Sequence, residues 1–323
     1  MPKIIVVGDT HFQDTSPFYQ AQKEFIDWFS SQPFNSKENI FLSLGDLFDR
    51  FNPSPKVNSM VLDFFENKMN FQKKYVISGN YKHEYNTLKK NWAIDLLESL
   101  EGVKLIKYLE VEKIGNLECL VLPWYYKTTH PEQLSIKEYY ENLPEEISNK
   151  KYDFIFGHIT DVDLFGELVD ISYLQGKKVL GHVHSTNFGK SFLGTPYILS
   201  KNEKGDEKKI MSIDVETGEF EYITVPKFID YYEVNYPDEP VIPEDCSFPI
   251  FEVFNAPSIE IAKEKYKDII IKKNGIHKVI SDKDAEGGEV QAGKKLTIKQ
   301  FFENFCKENK VNSQVKEKIG GLL

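Results

Sequence analysis

The chain contains no apolar run of about eighteen residues, so no membrane-spanning helix is expected. No internal repeat and no low-complexity tract occurs, so a solenoid is not expected. Cysteine is scarce. Cys119, Cys246 and Cys306 are odd in number and none is paired at metal-binding spacing. A disulfide framework and a thiolate zinc site are therefore excluded, and three buried thiols in a reducing cytosol are expected. Positive charge is not in excess. The formal net charge is −10, which argues against the generally basic surface that phosphate contacts normally need. Met1-Pro2-Lys3 leads at once into a strand-like run, so no signal peptide is expected.

At 323 residues the chain exceeds the usual single domain, and a large domain with a smaller appendage is expected. Lys3 to Val7, Ile40 to Leu44 and Tyr75 to Ser78 are apolar runs that predict buried strands. Between them lie helical spacings. Ser16 as cap and Pro17 at the first helical position introduce Phe18, Ala21, Phe25, Trp28 and Phe29. Pro53, Ser54 and Pro55 introduce Val57, Met60, Val61, Phe64 and Phe65. A third helix is predicted around Trp92 to Leu100. This β-α-β-α-β-α order argues for an α/β sheet. Shorter strands follow over Val103 to Ile106, Glu110 to Ile114, Leu117 to Leu122, Tyr152 to Phe156 and Lys178 to Leu180, with a polar helix over about Pro131 to Leu143. Phe188 to Phe192, Lys209 to Val215 and Glu219 to Val225 predict a meander. Two mixed sheets packed face to face, with helices outside, is the simplest assembly. Beyond Pro226, strands over Tyr231 to Asn235, Phe248 to Phe254 and His277 to Ile280 enclose a helix over Ser258 to Lys267. A charged, glycine-rich linker over Asp282 to Lys295 then precedes two short amphipathic helices, with Thr297 and Gln300 as a capping box.

Five short clusters stand where apolar runs end: Gly8-Asp9-Thr10-His11, Gly45-Asp46-Leu47-Phe48-Asp49, Gly79-Asn80, Gly157-His158 and Gly181-His182-Val183-His184. Open α/β sheets place their sites at such strand ends. In an extended segment residues i and i+2 share a side, so Asp9 and His11 are natural co-ligands, as are His182 and His184. Asp46 can bridge two cations, Asn80 offers a carbonyl oxygen, and His158 another imidazole. Each glycine is expected to let the backbone turn sharply. Alone, any of these pieces reads as a turn or a structural histidine. Together they hold or adjoin five of the seven histidines, leaving His130 and His277 outside. Mixed oxygen and nitrogen donors at one sheet edge predict a two-metal site that hydrolyses phosphate esters.

On these motifs the chain resembles the calcineurin-like metallophosphoesterases. More narrowly it resembles the SbcD-type nuclease subunits, phage members above all, which are relatives of the meiotic-recombination-eleven repair nuclease. Asn52-Pro53-Ser54-Pro55 after the second cluster, Leu122-Pro123-Trp124, and Gly194-Thr195-Pro196 with Lys204-Gly205 and Met211 to Val215 carry the narrower likeness. The resemblance implies a four-layer α/β/β/α sandwich over residues 1–226, a small β-α-β capping domain over 227–281, and a linker with C-terminal helices over 282–323. It implies that Asp9, His11, Asp46 and His184 hold one divalent metal, and that Asp46, Asn80, His158 and His182 hold the other. Mn²⁺ is favoured, with Mg²⁺ or Fe²⁺ as alternatives. It further implies exonuclease action on duplex ends and endonuclease action on single strands of DNA, with an SbcC-type ATPase bound through the C-terminal helices. A homodimer in the cytoplasm, the host's if phage-encoded, completes the expectation. The acidic balance then requires that the grip on DNA be local or supplied by another subunit.

The third motif departs from the family, which continues Gly-Asn-His where this chain has Gly79-Asn80-Tyr81-Lys82-His83. The missing imidazole contacts the scissile phosphate in relatives and is oriented by the acid at the position of Asp49. Three readings stand. Tyr81 substitutes with slower chemistry, His83 takes the place of the donor, or the site binds metal and DNA but cuts poorly. Beside the nuclease stand two other functions: a stand-alone phosphatase or phosphodiesterase, and a catalytically weakened DNA-binding scaffold.

Overall fold

The computed structural model of the chain describes residues 1–129, 133–163, 168–239, 241, 244–266 and 270–271. The chain divides into two compact units, Met1–Lys278 and Val279–Leu323, and the second lies outside the described residues.

Strands Lys3–Val7, Ile40–Ser43, Lys73–Ile77 and Val103–Ile106 lie side by side and parallel. The hairpin Lys209–Asp214 and Phe220–Thr224 joins antiparallel beside Lys3–Val7, giving a six-stranded sheet. A second sheet of four strands runs in the order Gln175–Leu180, Lys151–Gly157, Leu117–Leu122, Glu110–Ile114. Alternation along each strand builds the layers. Ile5, Val7, Phe41 and Val76 face helices Phe18–Ser31 and Pro55–Asp63. Ile4, Val6, Leu42 and Ile77 face the other sheet, where they meet Cys119, Val121, Phe154, Phe156 and Val179. The remaining face of that sheet, with Leu120, Leu122 and Ile155, is covered by Tyr140 of helix Ile136–Glu141 and by Ile147. The order is thus helix, sheet, sheet, helix, the expected four layers. Among the described residues no helix is long and apolar enough to cross a membrane.

Several local elements differ from the sequence expectation. The first helix has Pro17 as its N-cap and no side-chain cap, so Ser16 stands one residue too far from the free amides of the first turn. The second helix is as expected, with Ser54 accepting the Val57 amide at 3.4 Å and Pro55 following. The helix predicted around Trp92 to Leu100 is only a 3₁₀ turn, Ala93–Leu97. Trp92 is drawn instead into a hairpin opposite Tyr85, and the Asp95 carboxylate takes the Trp92 amide at 2.8 Å. The polar helix is shorter than predicted because the Ser135 and Glu138 capping box starts it late. Phe188 to Phe192 is not a strand. Thr186–Phe188 is a 3₁₀ turn whose cap, Ser185, accepts the Asn187 amide, and Phe192 makes a single bridge to Leu180.

Strands Ile229–Asn235 and Phe248–Phe254 pair in parallel, with Ile270–Ile271 beyond, and form a separate three-stranded sheet. Helix Ile259–Lys265, capped by Ser258, packs Ala262 with Val234, Phe251 and Val253. The predicted strand His277 to Ile280, the linker and the C-terminal helices lie outside the described residues, as do Cys306, His130 and His277. Cys119 and Cys246 are buried and free.

The contact between the sheets sets the relative position of every strand end. Phe156→Ala removes a fully buried ring from that contact. It should cost about 3–5 kcal/mol in a denaturant titration. A loss below about 1 kcal/mol would show that the sheets do not rely on that packing.

Candidate metal centre

The strand ends meet through backbone bonds before any side chain is considered. His11 N–H donates to Asp46 O at 2.9 Å and Phe12 N–H to Leu47 O at 2.8 Å, so the first two ligand loops run together. Gln22, fully buried in the first helix, donates to His11 O and accepts from Gln13 N–H, each at 3.0 Å. The Tyr197 hydroxyl donates to Thr10 O. Trp124 N–H donates to Ser78 O at 3.1 Å and His158 Nδ1–H to Leu44 O at 2.9 Å, tying the second sheet to the first.

The sharp turns fall on the ligands more than on the glycines before them. His11, Asp46 and His182 have φ of 43°, 42° and 74°. Holding a non-glycine residue there costs on the order of 1–3 kcal/mol and persists only where the surroundings impose it. Glycine is needed instead for close approach. A Cβ on Gly79 would lie 2.2 Å from Asp46 Oδ1, and one on Gly181 would lie 2.4 Å from Asp9 Oδ1. The expectation that the glycines make the turns therefore holds at Gly45, whose φ is 108°, and is corrected at Gly8, Gly79, Gly157 and Gly181.

The donors converge in three overlapping groups, each with its atoms within 4.8 Å of one another: Asp9, His11 and His184; His11, Asp46 and His83; and Asp46, His158 and His182. Asp46 is the hub. Its Oδ1 accepts the Asn80 amide at 2.5 Å, and its Oδ2 stands 3.5 Å from His11 Nε2 and 3.3 Å from His158 Nε2. Asp9 Oδ2 accepts the His182 amide at 2.7 Å and lies 3.9 Å from His184 Nε2. The Nε2 atoms of His11 and His184 are 3.0 Å apart. His182 and His184, read as co-ligands from their spacing, point into different groups because the positive φ of His182 breaks the extended alternation. The Asn80 side-chain oxygen accepts the Lys82 amide at 3.0 Å and keeps a second lone pair.

Burial dominates the electrostatics. It raises the Asp9 carboxyl to about 6, despite His158 beside it. Burial also opposes charge on His158, but the carboxylates of Asp46 and Asp9 outweigh it and raise the ring to about 9. Burial and the neighbouring His158 push His182 down to about 3. Burial likewise holds His11 well below its ordinary value. Asp9 Oδ1 and His158 Nε2 are buried and make no well-aligned hydrogen bond, although the Asp46 carboxylate lies 3.3 Å from His158 Nε2 and offsets part of the burial cost there. Both are donor types for divalent cations. The donor set of carboxylates and imidazoles fits divalent cations better than a thiolate-seeking metal.

Two acidic residues that sequence reasoning missed hold the ligands in place. Glu84 is fully buried and accepts the Leu47 and Gly79 amides, each at 2.6 Å, so it clamps the second and third ligand loops together. Burial, with Asp46 nearby, raises it to about 8. Glu203 Oε1 lies 3.5 Å from His184 Nδ1, and its Oε2 accepts from Lys208 Nζ at 2.7 Å and Thr195 Oγ1 at 2.9 Å. Burial opposes its charge, but His184 and Lys208 hold it down at about 2. A carboxylate behind a ligating imidazole fixes the ring and its tautomer. Glu84 directly follows His83 in the departing third motif, and as a single acidic residue it carries no sequence signal of its own.

The structure places His83 with the ligands. Its ring centroid is 4.7 Å from that of His11, and its Nδ1 is 2.7 Å from Asp49 O. Asp49 meets His83 through its backbone carbonyl, while its carboxylate lies 4.0 Å from His11 Nδ1. The Tyr81 side chain lies outside the described residues.

A cluster held together against this much buried polarity should be stabilised by its cations. Saturating Mn²⁺ at about a hundred times its dissociation constant should add about 2.7 kcal/mol, raising Tm by about 4 °C over chelator-treated protein. Equal melting of the two forms would contradict the metal assignment.

The model of the calcineurin-like phosphoesterase family matches residues 2–186. Among solved structures, a novel archaeal phosphodiesterase is 14% identical over 69% of this chain and 99% of its own, with a TM-score of 0.35. A protein of unknown function from Aquifex aeolicus is 14% identical over 55% of this chain and 88% of its own, with a TM-score of 0.31. No curated protein matches. The four layers, the ligand clusters at their strand ends and a family match over more than half of the sequence agree: the chain belongs to the calcineurin-like phosphoesterase family and is a metal-dependent phosphoester hydrolase.

Proposed function

We propose that the chain is a nuclease, the metal-dependent subunit of an SbcCD-like recombination or repair complex that hydrolyses DNA phosphodiesters. The observation that carries the catalytic part is His83, an imidazole outside the Asp9, His158, His182 and His184 ligand positions yet within 4.8 Å of His11 and Asp46 donor atoms. The motif likenesses at Asn52 to Pro55, Leu122 to Trp124 and Gly194 to Pro196 support the narrower nuclease reading.

Asp9, His11, Asp46 and His184 would hold one cation, and Asp46, Asn80, His158 and His182 the other. When bound, the pair supplies Lewis acidity toward a phosphate oxygen and lowers the pKa of the attacking water. The protein's own residues set the geometry. His158 donates Nδ1–H to Leu44 O, which leaves Nε2 as its ligand atom. Glu203 steadies His184 from behind. His83 donates Nδ1–H to Asp49 O, so Nε2 is the nitrogen that contacts the scissile phosphate and returns a proton to the leaving oxygen. A tyrosine, with an ordinary pKa of about 10, is a poorer acid near neutrality, so His83 rather than Tyr81 takes this role. Residues 227–281 would cap the nuclease domain, and the helices of 282–323 would bind the ATPase. A second copy would complete a dimer, and Mn²⁺ would be the working metal.

Cleavage of labelled duplex and single-stranded DNA should be compared with hydrolysis of a small chromogenic phosphodiester, all with Mn²⁺ and with and without an SbcC-type ATPase. Preference for DNA is expected, and a strong preference for the small ester would assign a stand-alone phosphodiesterase instead. In the same assay His83→Ala should lower the single-turnover rate by about 100-fold or more. Tyr81→Phe should stay within about twofold. The reverse ranking would return the acid role to Tyr81.

A further inference from the structure

The loops that follow the first two ligand clusters enclose a cleft of about 500 Å³, lined among others by Gln13, Asp14, Asp49, Arg50, Asn52 and Asn58. It adjoins the metal centre, since Asp49 reaches within 4.0 Å of His11 and Phe12 bridges to Phe48. Its chemistry is unlike the rest of the surface. The chain has forty lysines and arginines, and Arg50 is the single arginine. The Arg50 side chain is 77% exposed, with Nε 3.6 Å from Asp49 Oδ2. Lysine suffices where a point charge must meet a phosphate, whereas a planar fork suits a ligand with two acceptors at fixed spacing.

The carboxylates decide between a phosphate and a base. Asp14 and Asp49 on the cleft wall would repel a second phosphate. The same oxygens accept from ring imino and amino groups. The Asp14 carboxyl is held below its ordinary value, chiefly by the Ser54 hydroxyl beside it. Asn58 Oδ1 is buried at the cleft wall without a hydrogen-bond partner, an acceptor left unmet beside the cleft. Donors from one arginine, acceptors from two aspartates and adaptable amides from Gln13, Asn52 and Asn58 complement the edge of a purine. Guanine fits best. Its O6 and N7 accept from arginine, and its N1–H and amino group donate to a carboxylate.

We propose that this cleft binds the base of the nucleotide next to the bond being cut, with guanine preferred and Arg50 as the reader. The inference rests on the nucleic-acid reading of the site and adds a base preference to it. Equilibrium titration of the full Mn²⁺-loaded chain with 5′-GMP, AMP, CMP and TMP, all as 2′-deoxynucleotides, tests it without any cleavage. All four share the phosphate, so their differences report the base. GMP should bind about tenfold more tightly than TMP. Arg50→Lys, which keeps the charge and loses the fork, should bring the four within about twofold of each other. Equal affinities in the wild type, another ranking, no binding, or a GMP preference that survives Arg50→Lys would overturn the proposal. Equal affinities together with intact DNA cleavage would remove the base pocket alone. Tight GMP binding without DNA cleavage would instead remove the nuclease reading.

Discussion

The carboxylate of Asp46 is the constraint on which the site depends. One oxygen is pinned by the Asn80 amide, and the other faces His11 from the first ligand loop and His158 from the second sheet. Four strand ends therefore converge on a single side chain. The sheets supply the rigidity. Their shared core of Ile4, Val6, Leu42, Phe154 and Phe156 leaves neither free to slide without voids. Strained backbone at His11, Asp46 and His182 is tolerable because hydrogen bonds on both sides impose it.

The resulting cluster is poorly suited to its own interior. Asp9 and Asp46 repel, His11 and His184 face each other through like atoms, and two donor atoms make no well-aligned hydrogen bond. Apolar replacements would pack more comfortably. Such a concentration of unmet polarity has a physical explanation when divalent charge is part of the native state, because metal binding and folding then share one free energy. Glu84 and Glu203 belong to the same design. Neither needs to touch a substrate, yet each holds a ligand loop or ring where a cation requires it.

Much of this was legible in the sequence, and the reasons are specific. Ligands that terminate apolar runs stand out, so Asp9, Asp46, Asn80, His158 and the His182–His184 pair were visible before any coordinates. Strand alternation announced the layers. Glu84, Glu203, Lys208 and Gln22 were not visible, because single polar residues carry no periodicity and their roles come from contacts across 5 to 37 positions. The third motif left its donor open between Tyr81 and His83 for a different reason. Tyr81-Lys82 separate Asn80 from His83, and only the short helix Tyr81–Glu84 brings His83 and Glu84 back to the cluster. The helix expected near Trp92 failed because a local carboxylate and a ring pair, Asp95 and Tyr85, outcompeted its periodicity.

The sharing of Asp46 is tested most directly by anomalous diffraction from crystals grown with Mn²⁺. Two anomalous peaks are predicted, both within coordination distance of the Asp46 carboxylate, one beside Asp9 and His184 and the other beside His158 and His182. A single peak, or two peaks of which one lies away from Asp46, would contradict the shared-carboxylate centre.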